Sequence, residues 1–426
     1  MASKQNFSVV IDLGTSKLVA LAGKLTELGK LEILGLSKTP SKGIKRGVIF
    51  NIEEAAEALT KLLDNLVEQL EDEISTVDVV LAGPKMRTVD YKCTALTLGE
   101  GFVTARDVEK LMEEAGNVEV NQGYKVVKVI PVRYIIDDEN EVEKPVGTTG
   151  HKIDAHFKLV VVPEVYMTNL KLVLNKIGVD LGEVVHASLA VSEAVLSTEE
   201  KEVGVIVVDF GAGTTNLAVF QDNVLKHTTV VPFGGEVVTN DIKEGCSIFL
   251  KKAELLKVKY GQAMGDFADD QKVVTIAGEN GWEPRDISFK SLAYIIQARL
   301  EEILECVHVE ILKSGIEDTL GSGIVITGGT SNLENIVSLV KFKTAMDARK
   351  AHAVIHPVNR RDEFQNQELF NVLGAMKLVL STTEVSAGNT HGRTIKTKER
   401  RFPIFKNVVQ GALNLFDTEG SDAELN

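Results

Sequence analysis

The segments Val10-Ile11-Asp12-Leu13-Gly14-Thr15-Ser16-Lys17 and Val208-Asp209-Phe210-Gly211-Ala212-Gly213-Thr214-Thr215-Asn216 carry one pattern in two places. Each is an apolar strand that closes on an aspartate and enters a tight Gly/Thr/Ser turn. A second apolar run follows, Leu18-Val19-Ala20-Leu21 or Leu217-Ala218-Val219-Phe220. Glycines let such a turn bend and approach a ligand closely, and its consecutive N–H groups form a concavity that accepts anions. An aspartate at the strand end is placed to hold the hydrated magnesium that accompanies a nucleotide's phosphates. Two such hairpins facing each other make a clamp, which restricts the fold to two similar halves around a cleft.

The chain has 426 residues, more than one ordinary core needs, so two or more domains are expected. Its 44% hydrophobic and 25% charged residues describe a globular protein. A net charge of −14 argues against nucleic-acid binding, which needs a concentrated basic surface. The three cysteines, Cys93, Cys246 and Cys306, form no CxxC, so structural disulfides are not expected and a reducing cytoplasm fits. Met1 to Ser8 is polar and leads straight into the first hairpin, leaving no room for a cleavable signal peptide. No apolar run approaches the roughly 20 residues of a membrane-spanning helix.

A third strand, Glu32 to Leu36, follows the first hairpin. Ala55, Leu59, Leu62, Leu63, Leu66 and Leu70 then recur at helical spacing over Ile52 to Glu71, before a buried strand at Val77 to Gly83. Between Pro84 and Pro163 the texture changes. Strands at Val126 to Tyr134 and His156 to Val162, a helix at Ala105 to Ala115 and an acidic loop at Asp137 to Glu143 suggest a small α+β insertion. A helix at Val165 to Ile177, a strand at Val179 to His186 and a helix at Leu189 to Leu196 resume the core. The charged Thr198 to Glu202 reads as a hinge or boundary. After the second hairpin come a helical region at Val237 to Lys252, helices at Ala253 to Tyr260 and Ser288 to Ser314, and a strand at Gly323 to Thr327 leading into Gly328-Gly329-Thr330-Ser331. The repetition implies two related sheet domains with a nucleotide in the cleft between them.

The last part of the chain breaks this pattern. Ser381 to Lys398 is rich in Ser, Thr, Gly and charge and reads as a flexible linker. In Arg401 to Phe416, Pro403 suits a first helical turn. Phe405, Val408, Val409, Ala412, Leu415 and Phe416 then share one face, with Lys406, Asn407, Gln410 and Asn414 around the other. Such a helix could dock on its own protein. The polar linker and the basic Lys396, Lys398, Arg400, Arg401 and Lys406 favour an anionic membrane surface instead.

At these residues the chain resembles the actin, Hsp70 and sugar-kinase superfamily, and within it the FtsA family of bacterial cell-division actins. The Asp12 and Asp209 turns match the two phosphate motifs, and Ile326-Thr327-Gly328-Gly329-Thr330 matches the adenosine motif. Gly234-Gly235-Glu236-Val237 and Ala253-Glu254-Leu255-Leu256-Lys257 are similar to the stretches that follow the second hairpin. The resemblance implies an α/β, actin-like (ribonuclease H-like) duplicated fold. Its core subdomains would be 1–83 with 164–202, and 203–236 with 315–380. Residues 84–163 would be the FtsA-type α+β insertion, 237–314 a second small subdomain, 381–400 the linker, and 401–426 a C-terminal amphipathic helix and tail.

The resemblance also implies ATP and Mg2+ as cofactors. Gly14, Thr15, Ser16 and Lys17 would meet the terminal phosphates from one side, and Gly211, Gly213, Thr214, Thr215 and Asn216 from the other. Asp12 and Asp209 could cap their turns, but two strand-end carboxylates across a phosphate site fit better as organisers of the ion's water shell. Gly235, Glu236, Gly328, Gly329 and Thr330 would lie along the nucleotide. Glu254 and Lys257, three apart on one helix face, read either as an ion pair or as flanking residues of the adenosine. Glu193 is the candidate for the hydrolytic water, in a segment lacking the acid that Hsp70-like and sugar-kinase enzymes carry near Ala187, so a weak ATPase at most is implied. Lys290, Arg299 and Lys313 mark the long helix, where Arg299 matches a basic residue that receives the C-terminal tail of the tubulin-like protein FtsZ. Further partners would be other copies of the chain, anionic lipids and other division proteins, at the cytoplasmic face of the inner membrane and the division septum. A small-molecule kinase of the same superfamily is the alternative, and an Hsp70-like chaperone is opposed by the lack of a peptide-binding domain.

Overall fold

The computed structural model describes residues 5–98, 101–277, 283–316 and 319–388. In the first lobe β1 (Ser8–Leu13), β2 (Lys17–Leu25) and β3 (Leu31–Pro40) form an antiparallel meander. A small hairpin follows, β4 (Ile44–Lys45) and β5 (Val48–Ile49), then α1 (Ile52–Leu70) and β6 (Thr76–Leu81), which runs parallel to β1. Helix α1 starts where the Asn51 side chain accepts the N–H groups of Glu53 and Glu54, with those acids favourably placed in the first turn. It buries Ala55, Leu59, Leu62, Leu63 and Leu66 against the sheet and stops at Glu71, whose φ of 53° cannot continue a helix.

The insertion comprises β7 (Arg87–Leu96), α2 (Ala105–Asn117), β8 (Tyr124–Ile136), β9 (Asn140–Val142) and β10 (Lys152–Pro163). Its own core lies between α2 and the sheet, around Leu111, Met112, Tyr134 and Phe157. α3 (Glu164–Lys176) and β11 (Asp180–His186) then complete the first sheet in the order β11-β6-β1-β2-β3.

Helices α4 (Ala187–Val195) and α5 (Thr198–Val203) lead into the second lobe. It contains β12 (Val205–Phe210), β13 (Thr215–Gln221), β14 (Val224–Val231), α6 (Gly235–Cys246), α7 (Leu250–Tyr260), β15 (Val273–Ile276), β16 (Arg285–Ser288), α8 (Phe289–Ser314), β17 (Ile324–Thr327), α9 (Ile336–Thr344) and β18 (Ala348–Lys350), after which α10 (Phe370–Gly388) returns to pack on α4, β1 and β2. Its strands run β18-β17-β12-β13-β14, the same order and directions as the first sheet. The duplication expected from the two hairpins is therefore present in full. Helices α4 and α10 lie between the two sheets and share one core with both, including Val10 and Leu21 from one sheet and Val207 and Ala218 from the other.

Several expectations are refined or corrected. The small α+β insertion is present, and its strands join the second sheet: β7 pairs with β14 at Thr229 and Arg87, so β7, β10, β8 and β9 extend it. The charged stretch at 198–202 forms the helix α5, held by a capping box between Ser197 and Glu200. The acidic loop at 137–143 is a tight β8–β9 hairpin turned by Asp137 (φ 51°) and Asp138 (φ 63°). The helical region at 237–252 is interrupted at Ser247 (φ 52°), which separates α6 from α7. α10 continues to Gly388, into residues expected as linker. The rest of that linker and the amphipathic segment, with Arg400, Arg401, Phe405, Lys406, Val408, Val409, Ala412, Leu415 and Phe416, lie outside the described residues.

The free side of β3 is covered by side-chain amides. Asn359 accepts the Ile33 N–H at 2.9 Å and donates to the Ile33 carbonyl at 2.8 Å. Gln69 makes the same two bonds to Leu36, at 3.1 and 3.0 Å.

Candidate nucleotide site

The two sheets place their aspartates equivalently. Asp12 stands opposite Val19 of β2 and beside Val80 of β6, and Asp209 opposite Asn216 of β13 and beside Thr327 of β17. Both face a cleft of about 330 Å3 between the lobes. A larger groove of about 540 Å3 lies between the insertion and the β13–β14 turn, but ion pairs such as Arg133–Glu141 and Lys226–Asp222 occupy its walls and it has no glycine turn.

From the first lobe Gly14, Thr15, Ser16 and Lys17 line the cleft, and from the second Gly211, Thr214 and Asn216. The hairpins touch: a β-carbon on Gly213 would lie 2.5 Å from Thr15 Oγ1. Gly235, Glu254, Lys257, Gly328, Gly329 and Thr330 line the remaining wall. Lys257 is buried and donates to the Gly235 carbonyl (2.9 Å) and Thr239 Oγ1 (2.7 Å), while pairing with Glu254 at 2.7 Å. Glu254 and Lys257 are thus an ion pair, and the pair forms part of the cleft wall. Gly328 serves its own chain, since its φ of 85° and a β-carbon position 2.4 Å from Asp209 Oδ1 exclude other residues. Gly329, with nothing within 4 Å of its β-carbon position, is the glycine that leaves room for a ligand.

Four residues named from the sequence do not line the cleft; one of them, Gly213, packs against Thr15 of the other hairpin instead. Thr215 is fully buried and its hydroxyl donates to the Phe233 carbonyl at 2.8 Å. The exposed Glu236 contributes its backbone N–H to the Ala212 carbonyl, not its side chain to the cleft. Glu193 is buried on the far side of α4, paired with Lys201 and Lys377. Burial opposes its ionisation, but the two lysines outweigh burial and hold its carboxyl below the usual range. A carboxylate neutralised in this way cannot activate a water in the cleft.

Asn371, on the first turn of α10, was not legible as a site residue. Its Nδ2 donates to Asp12 Oδ2 at 3.4 Å and to Asp209 Oδ2 at 3.5 Å, joining the carboxylates of the two lobes. Asn216 adds a 3.0 Å bond to Asp209. Burial, and then the Asp209 charge, raise Asp12 from 3.8 to about 7 against the opposing Asn371 bond and Lys17 charge. Burial raises Asp209 as well, against the bonds from Asn216 and Asn371. Glu368 also lines the cleft, between Lys17, with which it is paired, and Lys38 at 3.7 Å. The only sequence signal for these residues is a polar run, Gln367, Glu368 and Asn371, at the head of an otherwise apolar helix.

The donor set fits a hydrated magnesium ion. Two buried carboxylates whose charge is unfavourable as they stand need a cation, and the buried Asn216 and Asn371 Oδ1 atoms lack donors that an ion's waters supply. Among the described residues no group of three or more metal-ligating side chains occurs, so contact through water suits the site better than a full protein cage.

Residues 206–374 match the family model for cell division protein FtsA, and residues 90–161 match that of the SHS2 domain inserted in FtsA. Cell division protein FtsA of Pseudomonas aeruginosa is 31% identical over 343 residues, covering 80% of this chain and 82% of that protein. This chain belongs to the FtsA family. The FtsA proteins of Escherichia coli K12 (31% identity, 79% of this chain and 82% of that one) and Bacillus subtilis (32%, 78% and 76%) are similar to it over the same extent. Among solved structures, the PilM–PilN type IV pilus biogenesis complex aligns with a TM-score of 0.60 at 14% identity, over 88% of this chain and 98% of that one. MreB5 of Spiroplasma citri bound to ADP aligns with a TM-score of 0.56 at 15% identity, over 90% and 99%. The fold is actin-like, and the FtsA-specific insertion model falls within β7 to β10.

Proposed function

We propose that this FtsA-family chain binds Mg-ATP between its lobes, that the nucleotide favours self-assembly, and that the assembly ties the FtsZ ring to the inner face of the plasma membrane at the septum. The observation that carries the reading is the meeting of the two hairpins across one cleft, Gly213 against Thr15, with Asp12 and Asp209 joined by Asn371. Backbone N–H groups of both turns would grip the terminal phosphates, and bound magnesium would offset phosphate charge while its waters meet Asp12 and Asp209. Because the phosphates engage both lobes and the lobes share α4 and α10, binding favours the closed arrangement.

No α4 side chain lines the cleft among the described residues, which supports a switch role over rapid hydrolysis. Membrane attachment rests on the sequence of 401–416, because none of the described helices is long and apolar enough to span a bilayer. A single short amphipathic helix binds lipid weakly, and an assembly presenting many copies binds far more tightly. Arg299 on α8 stands as the FtsZ-tail contact. It is already paired with Asp241 and Glu302, so an acidic tail must exchange with these partners.

Electron microscopy on anionic lipid monolayers tests the whole reading. Mg-ATP is expected to give filaments on the lipid that Asp209→Ala abolishes, while deletion of 401–426 leaves filaments detached. Filaments that persist unchanged in Asp209→Ala would overturn the nucleotide switch.

A further inference from the structure

The cleft is short of free positive charge. Asp12, Asp209, Glu254 and Glu368 line it, against Lys17 and Lys257. Lys17 is paired with Glu368, and Lys257 is held by Glu254, Thr239 and the Gly235 carbonyl. A nucleoside triphosphate brings further negative charge into these surroundings, and its terminal phosphate carries more of it than either of the other two.

One cation beside the phosphate turns is not committed in this way. Strands β4 and β5 pair Lys45 with Val48, leaving Arg46-Gly47 as a two-residue loop. Both loop residues have positive φ, 51° for Arg46 and 69° for Gly47. Hairpin loops of this kind favour Asn, Asp or Gly at the first position, because a left-handed conformation costs other residues about 1–2 kcal/mol. An arginine here is a local conflict, of the sort that clusters at functional positions.

The loop is fixed onto the phosphate turns of both lobes. The Gly47 N–H donates to Thr15 Oγ1 at 3.2 Å, on the same hydroxyl that meets Gly213 from the other lobe. The Arg46 guanidinium lies 5.9 Å from the centre of the Phe233 ring. Phe233 belongs to the second lobe, where its carbonyl accepts the Thr215 hydroxyl and the following Gly235 N–H bonds to the Gly211 carbonyl at 2.9 Å. Arg46 therefore reaches from one lobe to the other beside the cleft, whose wall includes the neighbouring Gly47. Its side chain is exposed and, among the described residues, has no carboxylate partner.

We propose that Arg46 contacts the terminal phosphate of a bound nucleoside triphosphate and so makes the cleft discriminate triphosphate from diphosphate. The proposal rests on the cleft being the nucleotide site. The planar guanidinium forms paired hydrogen bonds to phosphate oxygens, which the flat Phe233 face permits by supporting it from one side. A diphosphate leaves that position without a phosphate, and Arg46 then makes only the cross-lobe ring contact.

Calorimetric titration of the full chain with Mg-ATP and Mg-ADP tests this. The wild type is expected to prefer ATP, and Arg46→Ala to lose ATP affinity about ten- to hundredfold while ADP affinity stays within about twofold. Arg46→Lys should recover part of the preference. Arg46→Gly removes the conformational conflict, so it should raise the melting temperature by about 2 °C yet lose the preference as Ala does. Equal loss of both affinities in Arg46→Ala, or an unchanged ATP preference, would overturn the role of Arg46 and leave the cleft assignment standing. A wild type that binds neither nucleotide overturns both.

Discussion

Gly374 of α10 crosses α4 directly against the carbonyl of Ala190, so closely that a β-carbon on the glycine would stand 1.7 Å from that oxygen. The crossing holds together α4 and α10, which share one core with both sheets. Gly374→Ala cannot be absorbed by a side-chain rotation, because the obstacle is backbone. We expect a loss of about 3 kcal/mol in urea denaturation, at the upper end of overpacking costs. The nucleotide-induced rise in melting temperature should shrink with it. A variant as stable as wild type would show that the helices can part freely.

Asn371→Ala removes the amide shared by Asp12 and Asp209 and leaves two neighbouring carboxylates to repel one another. Removing this bond should push Asp12 higher still, since the Asn371 amide favours the ionised carboxylate. Mg-ATP affinity at neutral pH should fall about tenfold and recover in part at higher pH. Titration calorimetry at two pH values checks this.

The raised Asp12 gives the ligand-free protein and the complex opposite pH dependences. From pH 3.8 to about 7 the folded state retains a proton that the unfolded chain has released, so Asp12's contribution to stability is lost as pH rises through this window. Binding of the hydrated cation needs the ionised carboxylate, so the stabilisation by Mg-ATP should grow over the same window and level off above about 7. Thermal melts with and without Mg-ATP between about pH 5.5 and about pH 8 report this directly. Asp12→Asn should flatten the difference.

Arg299→Ala should separate partner binding from stability. Its pairs with Asp241 and Glu302 are partly exposed, so their loss should cost less than about 1 kcal/mol. Binding of a fluorescent peptide with the acidic FtsZ tail composition should weaken and become less sensitive to salt. Unchanged anisotropy titrations would remove Arg299 from the proposed contact.

The sequence was most informative where function is local. Each phosphate hairpin is contiguous, and its strand, carboxylate and turn can be read in one window, as can the Gly328-Gly329-Thr330 turn. Asn371 could not be found this way, because it meets Asp12 and Asp209 only after the chain has closed both lobes. Glu193 was misplaced because a helical pattern around one acid does not reveal which face turns to the ligand, and Lys377 lies far along the chain. Strand β7 is not legible in the sequence, because Arg87 to Leu96 alternates weakly and only Cys93 in it is buried. α5 was hidden by charge density, although its Ser197-to-Glu200 cap was present in the sequence.

The amides of Asn359 and Gln69 satisfy β3 where another strand would otherwise bind. An open β-edge is adhesive toward any extended chain. With these positions taken, two copies of the chain that meet have less opportunity to fuse through the first lobe in an arbitrary register. Under the proposed function, self-assembly would then use other surfaces.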